Sequence, residues 1–311
     1  MFTAVEGFKI GHYTDLDALT GCTVVLCPPH TRASCEVRGS SPGSRELALL
    51  APEKKMDEIH AVLLTGGSAF GLAAADGVVK WLEEHEIGYQ TPWAKVPLVP
   101  SAVVFDLNVG KNSIRPDARA GYEACRNASG STVEEGNIGA GTGATVGKWK
   151  GIESCMKGGM GSSSIIMGNL VVGSLVVLNA VGDVLDEGGR ILAGARSKEG
   201  RFYGDVDPFR AFDRGNVLEK TNTTLAVVAT NAHFDKIELF RISQRMQDGF
   251  ARAVHPVHTS FDGDVSFALS CGTVRADLDF VAELAASLTA KAIRRAVLAS
   301  KSIQGIPGLA S

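Results

Sequence analysis

No apolar run in the 311-residue chain reaches the ~18 consecutive residues that would mark a membrane-spanning helix. Charge of one sign is also missing. The 31 Lys and Arg stand against 34 Asp and Glu, for a net charge of −3. That leaves neither the basic footprint of a nucleic-acid binder nor a polybasic membrane patch, so neither partner is expected. The six cysteines (Cys22, Cys27, Cys35, Cys125, Cys155 and Cys271) include no CxxC pair. The first ten residues, MFTAVEGFKI, carry charges and no long apolar core, unlike a secretory signal. Reduced thiols and a cytoplasmic location are the expectation, and the sequons Asn127-Ala128-Ser129 and Asn222-Thr223-Thr224 then read as chance matches. No internal repeat or low-complexity linker is visible.

Glycine is what the chain has in plenty. Its 36 residues exceed the usual ~7%, and they cluster at 136–147 and 158–161, where tight backbone geometry is implied. With 45% hydrophobic and 21% charged residues, the composition is that of an ordinary globular protein, long for a single domain but within reach of one large α/β layer structure. Apolar periodicity predicts strands at 61–65, 103–107, 225–230 and 265–270 and a run of strands with tight turns over 145–186. It predicts helices over 69–84, with Leu72, Ala75, Val79 and Leu82 in phase, over 116–127, over 235–254, and over 276–300, with Phe280, Leu284, Leu288, Ala292 and Val297 in phase. Strands grouped centrally, with helices before and after, suggest mixed α/β layers of the α+β class rather than a regular βαβ alternation.

The polar stretch Thr221-Asn222-Thr223-Thr224 runs directly into the apolar segment 225–228. A hydroxyl at the head of a buried strand is where an N-terminal nucleophile would be needed if the chain were cut before it. The α-amine so released has a pKa of about 7.7–8.0, so it can serve as general base for its own side chain. On the local sequence alone, turn chemistry is by far the commoner account of such residues.

Longer segments bear on that choice. TTLAVVATNA from Thr223 resembles the start of the β chain in the self-processing aminopeptidase family that includes the L-aminopeptidase/D-esterase, the β-peptidyl aminopeptidases and the nylon-oligomer (6-aminohexanoate oligomer) endohydrolase. LLTGGSAFGLAAADGVVKWLEE (63–84), VPSAVVFDL (99–107), GNIGAGTGATVGK (136–148), VVLNAVGD (176–183) and ARAVHPVHTSFDGD (251–264) resemble the same family in the same order, nearest the nylon-oligomer-hydrolase-like branch. The resemblance implies a four-layer α/β/β/α sandwich of the N-terminal-nucleophile-hydrolase type, no cofactor, and a homotetramer of processed heterodimers. It implies a single catalytic domain, 1–311, cut between Asn222 and Thr223 into 1–222 and an 89-residue chain, 223–311. The implied activity is hydrolysis of a small peptide or amino-acyl amide, with 6-aminohexanoate oligomers in range.

The same resemblance assigns roles. Thr223 would attack first the Asn222 carbonyl and then the substrate. Lys148 would lie beside it, tuning its amine or holding developing charge, where its residue type alone suggests a solvated surface lysine. Asn179, at the end of the apolar run VVGSLVVLN, would donate to a tetrahedral oxyanion; the plainer reading is a turn residue. Asp262 and Asp264, two apart in an extended segment, would share a face, shift each other's pKa and orient the new amine; the plainer reading is an Asp-Gly turn. Phe105 is a departure, because it stands where the resemblance implies a tyrosine near the substrate, and it has no donor. The oxyanion would then lean on Asn179 and backbone N–H groups.

Other patterns are weaker. Gly139-Ala140-Gly141-Thr142-Gly143-Ala144 fits GxGxxA without a clear strand before it or a helix after it. Gly66-Gly67-Ser68-Ala69-Phe70 fails the nucleophile-elbow pattern at its fifth position, and Ser68 reads better as a helix N-cap. His255 and His258, with Asp262 and Asp264, can be written as an HxxH metal set. Pro256 argues against the helix such a set needs, and no metal is expected. A metal-dependent hydrolase and a non-catalytic binding protein of the same fold are the rival readings.

Overall fold

The computed structural model describes residues 1–205 and 222–311; Thr221, at the start of the polar junction, lies outside them. Two five-stranded sheets form the centre. The first holds β1 (Lys9–Asp15), β2 (Thr20–Leu26), β4 (Ser44–Arg45), β5 (Ala61–Thr65) and β6 (Ser101–Val103), in the order β1-β2-β5-β6-β4. The second holds β3 (Arg32–Val37), β7 (Gly159–Met167), β8 (Leu170–Asn179), β9 (Thr223–Ala232) and β10 (Val265–Val274), in the order β7-β8-β9-β10-β3. The two sheets repeat one pattern. Each begins with an antiparallel hairpin, adds a third strand antiparallel, pairs that strand in parallel with a fourth, and ends on an antiparallel edge. No repeat is visible in the sequence, but the topology carries one.

Helix α1 (Ala74–Glu84) lies between the parallel strands β5 and β6, and α2 (Ala118–Arg126) follows β6. Likewise α3 (Lys236–Ala251) lies between β9 and β10, and α4 (Leu278–Leu298) follows β10. Helices α1 and α2 pack on each other and on the first sheet, and α3 and α4 do the same on the second. Alternating side chains make this possible, because a strand presents successive residues to opposite faces. Val62 and Leu64 face the second sheet's Leu175, Val177, Leu225 and Phe267. Leu63 and Val24 face Val78, Leu82 and Ala124 on the helices. Val176 and Val228 face Leu239, Met246, Phe250 and Ile293. Each such side chain contributes roughly 1.5–3 kcal/mol by leaving water. Among the described residues no helix is long and apolar enough to cross a membrane.

Helix starts follow capping chemistry. Asp235 and Glu238 form a reciprocal capping box on α3, and Asp277 and Asp117 accept from Phe280 and Ala120 N–H at the heads of α4 and α2, satisfying donors with no partner inside the helix. Ser68 does not cap. It sits at φ 53° after Gly67 at φ 80°, with no side-chain cap bond, and opens a 3-10 segment, Ser68–Ala73, ahead of α1. The strand expected at 103–107 ends at Val103, because Val104 N–H donates to Thr65 O, Val104 O accepts from Ser68 N–H in the turn that follows, and Asp106 folds inward to accept from Gly67 N–H and Thr20 Oγ1. On α4, Leu288, Ala292 and Val297 are buried but Phe280 is 43% exposed. Steps of four residues drift by about 40° each on a 3.6-residue helix, which carries Phe280 off the buried face.

Gly161 in β7 makes the α4 contact possible. A Cβ there would lie 2.1 Å from Ala292 O and 2.5 Å from Ala296 N, both helix backbone. Gly161→Ala is expected to lower stability by about 1–3 kcal/mol, read as an earlier urea midpoint. Gly130→Ala, whose Cβ would meet nothing nearer than 3.6 Å, is the control and should barely move it.

Candidate active site

The antiparallel pairing of β8 with β9 sets Asn179, the last residue of one strand, opposite Thr223, the first of the other. The parallel pairing of β9 with β10 puts the heads of both strands together, Leu225 beside Val265. The segment leading into β10 therefore runs beside the segment leading into β9, with Asn222 bridged to Asp262. A short strand Thr145–Val146 and the turn Lys148–Lys150 come alongside the end of β8 through Gly147 N–H to Gly182 O and Lys148 N–H to Val181 O. Thr223, Lys148, Asn179, Asp262 and Asp264 thus converge, all buried.

Lys148 is no surface lysine. Its Nζ donates to Asn179 O at 3.0 Å and to Asn179 Oδ1 at 2.8 Å. Burial pulls its pKa down from 10.5 to about 7, against the opposing pull of Cys155 and Asp262. Asn179 is held on every side: Oδ1 also accepts from Thr145 N–H at 2.9 Å, and Nδ2 donates to Phe105 O at 2.9 Å. Phe105 therefore meets the site through its backbone carbonyl, with its ring half-buried just beyond the end of β6.

The carboxylates divide their work. Asp264 accepts from Thr224 N–H at 2.6 Å through Oδ1 and meets His258 Nδ1 at 2.8 Å through Oδ2. Asp262 Oδ2 accepts from Thr259 N–H and Oγ1 at 2.8 and 2.7 Å. Burial first, and the neighbouring Asp264 second, push the Asp262 pKa up from 3.8 to about 6. Backbone from the loop after β3 seals this segment, with Gly39 N–H donating to Asp264 O and Ser41 N–H to Asp262 O.

At the junction itself, Thr223 Oγ1 donates to Asn222 O at 2.5 Å. The same carbonyl oxygen accepts from Gly263 N–H at 3.0 Å. Sequence reasoning missed that donor, and a backbone N–H leaves no residue-type signal to find. Five of the ten buried side-chain atoms without a hydrogen-bond partner among the described residues cluster here: Asn222 Nδ2 and Oδ1, Thr224 Oγ1, His258 Nε2 and Asp262 Oδ1. Buried open valences are costly, and they concentrate where chemistry needs them.

The HxxH set does not assemble. His255 lies exposed on a short strand, Val254–His255, paired to Asp183, while His258 is engaged with Asp264. Among the described residues no group of three or more His, Cys, Asp or Glu is placed to hold a metal ion. The GxGxxA segment forms a single 3-10 turn, Gly139–Gly141.

The model of peptidase family S58 matches residues 1–310. An uncharacterized aminopeptidase of Mycobacterium leprae is 39% identical over 98% of this chain and 92% of its own. The 6-aminohexanoate-oligomer endohydrolase of Agromyces sp. is 30% identical over 85% of this chain and 73% of its own. Among solved structures, the L-aminopeptidase D-Ala-esterase/amidase of Ochrobactrum anthropi, described as a variant of the Ntn hydrolase fold, superposes with a TM-score of 0.75 at 19% identity, covering 98% of this chain and 88% of that one. A Burkholderia β-aminopeptidase gives 0.74 at 19% identity, over 99% and 90%. At such identities the two structures speak to the fold: a mixed α/β structure with neighbours of the Ntn-hydrolase fold.

The buried lysine has a measurable signature. Its folded pKa of about 7 lies below the free value of 10.5, so between those pH values the unfolded chain binds the extra proton. Stability must then rise with pH across that window. In a Thr223→Ala background, which holds the junction in one state, the urea midpoint should climb from pH 7 toward 10.5 more steeply with Lys148 than with Lys148→Met. Equal slopes would place the ammonium in water.

Proposed function

The chain belongs to peptidase family S58 and is an amide-bond hydrolase, and on that premise we propose that Thr223 is its nucleophile, released by self-cleavage between Asn222 and Thr223. The observation that carries this reading is the contact of Thr223 Oγ1 with Asn222 O, made where Gly263 N–H already holds the same oxygen at 3.0 Å. A hydroxyl against its own preceding carbonyl, with a backbone donor on the carbonyl oxygen, is what an N-to-O acyl shift requires.

In the first reaction Thr223 Oγ1 bonds to the Asn222 carbonyl carbon. The tetrahedral oxyanion is met by Gly263 N–H. The C–N bond breaks, the nitrogen takes the hydroxyl proton, and water hydrolyses the resulting ester into chains 1–222 and 223–311. Lys148 supports the proton transfer. Its pKa near 7 lets it accept and return a proton at neutral pH, an effect typically worth about 10²–10⁴-fold. In the second reaction the freed Thr223 attacks a substrate amide, forms an acyl-enzyme and is regenerated by water. Asp262 Oδ1 and Thr224 Oγ1, unpartnered in the uncut chain, are acceptors available to the new amine. Asn179 Nδ2 has a second N–H beyond the one bonded to Phe105 O, available to the substrate oxyanion.

The substrate class is a small peptide or amino-acyl amide, and 6-aminohexanoate oligomers are within it by kinship with the Agromyces enzyme. The paired sheets, with helices on their outer faces, support the four-layer α/β/β/α arrangement. The active form is proposed to be a homotetramer of processed heterodimers.

Intact mass and N-terminal sequencing test the nucleophile. Purified protein should resolve into two chains, the smaller beginning at Thr223. Thr223→Ala should stay uncut and inactive, and Thr223→Ser should cut. Full amidase activity in Thr223→Ala would sink the reading.

Gly263 gives a second test. A Cβ there would lie 2.8 Å from Thr223 Oγ1 and 2.7 Å from Ser41 O. Gly263→Ala keeps the N–H but its Cβ must push that donor or the Thr223 hydroxyl out of place, so cleavage should slow by about 10²-fold or more, the scale on which one oxyanion donor counts. An unchanged cleavage rate would show that the reaction does not depend on the close approach of residue 263 to Thr223 Oγ1.

A further inference from the structure

A cavity of about 310 Å³ opens beside the turn that carries Lys148. Lys150, two positions on, lines it, which on a 3-10 turn is a separation of roughly 4 Å along the axis. Cys155 lines it as well and interacts electrostatically with the Lys148 ammonium. The cavity therefore neighbours Lys148 through Lys150 and Cys155, without Lys148 lining it.

The lining is cationic. Lys150, Arg196 and Lys198 share the lining with a single carboxylate, Glu153, and with Tyr203. Lys150 lies 5.8 Å from the centre of that ring. None of the three cations forms an ion pair with a described residue, although Lys150 and Arg196 are half-buried. Partly desolvated cations that leave their counter-charge unfilled are set to receive an anion. The volume sits at the small end of ligand pockets, which start near ~300 Å³, enough for one amino-acid-sized group.

We infer that this cavity is a subsite for the carboxylate of the substrate's leaving half, so that amides releasing an amine with a free acid are preferred over those ending in a neutral group. The inference rests on the nucleophile proposed above. An amide with a free amino end carries its acid on the far side of the scissile bond, which is the part that leaves when Thr223 is acylated. Arg196 supplies a planar fork for that carboxylate, and Lys150 and Lys198 supply point charges. Glu153 opposes it.

The test compares free acids with their C-terminal carboxamides, using the linear 6-aminohexanoate dimer and alanyl-6-aminohexanoate, which release the same leaving half, as probes. Wild-type enzyme should show a KM for the acids about tenfold or more below that for the amides, as expected for one charged hydrogen-bonding partner, with kcat little changed. Arg196→Gln should erase the difference. Glu153→Gln should widen it, a gain that misfolding would not produce. Equal KM for acid and amide in the wild type, or a preference untouched by Arg196→Gln, would overturn the subsite. Calorimetric titration of the uncut Thr223→Ala chain with the same acids separates this from a failure of the nucleophile. If no variant cuts or turns over, acid binding that is lost in Arg196→Gln still upholds the subsite, and absent binding overturns it.

Discussion

Everything at the site depends on a lysine ammonium buried where water cannot reach it. Lys148 is 7% exposed, and its nearest compensation is Asn179, through one backbone and one side-chain oxygen. Neither oxygen carries a full charge, so the ammonium is held by hydrogen bonds and more distant carboxylates. That is why its proton is loosely bound. Asn179 in turn can serve Lys148 only because Thr145 N–H and Phe105 O fix its amide from the other sides. Loosening any of these contacts would free the lysine to seek solvent, and its pKa would return toward the ordinary value.

The duplicated topology explains why these groups meet. A parallel pair brings two strand heads to the same edge, which an antiparallel hairpin never does. Pairing β9 with β10 in parallel sets Asn222 and Thr223 beside the residues 262–264. Pairing β8 with β9 antiparallel delivers the tail of β8 to the same place. The first sheet has the same parallel pair, β5 and β6. The segment leaving its β6 supplies the Phe105 carbonyl to Asn179 in the second sheet. One half of the repeat thus carries the groups proposed to react and the other half braces them.

How much of this was legible follows from where the information resides. The strand at Ala61–Thr65 and the helices α2, α3 and α4 stand out because apolar periodicity is written in residue types. Strands β1, β2 and β3 were not anticipated. TGCTVVL in β2 is buried at every position, yet its Thr, Gly and Cys give no alternation to read, because both of its faces are covered. Thr223, Lys148, Asn179, Asp262 and Asp264 came from likeness over long segments, and the structure brings them to one place. Gly263 N–H, the Phe105 carbonyl and the pairing of His258 with Asp264 could not be read, since backbone groups have no residue type and contacts between loops depend on the register of strands around them. Ser68 was misread because a hydroxyl before a helical pattern signals a cap only when its own backbone is extended, and here it turns left-handed.

The charge balance of the cluster gives a reason why one set of groups can serve two different reactions. In the uncut chain the Lys148 ammonium lies near buried Asp262, with buried Lys157 and Asp106 also acting on it, while burial first and Asp264 second hold the Asp262 proton up to about pH 6. Cleavage at Asn222 would add an amine fixed at the head of β9. It would also add a carboxylate, but on a residue tied to the described structure by Asn222 N–H to Phe261 O and Gly263 N–H to Asn222 O, bonds that its new chain end is free to exchange. The fixed amine is the lasting change. As an added cation it favours ionised Asp262, and by like-charge repulsion it further disfavours protonated Lys148. More of Lys148 is then neutral and free to accept a proton than in the half-protonated precursor, although each lysine binds that proton less tightly. On this argument the product of the first reaction sets the protonation states for the second, and the backbone change needed to pass from cutting itself to cutting substrate is the departure of the new chain end at Asn222 from Gly263 N–H and Phe261 O.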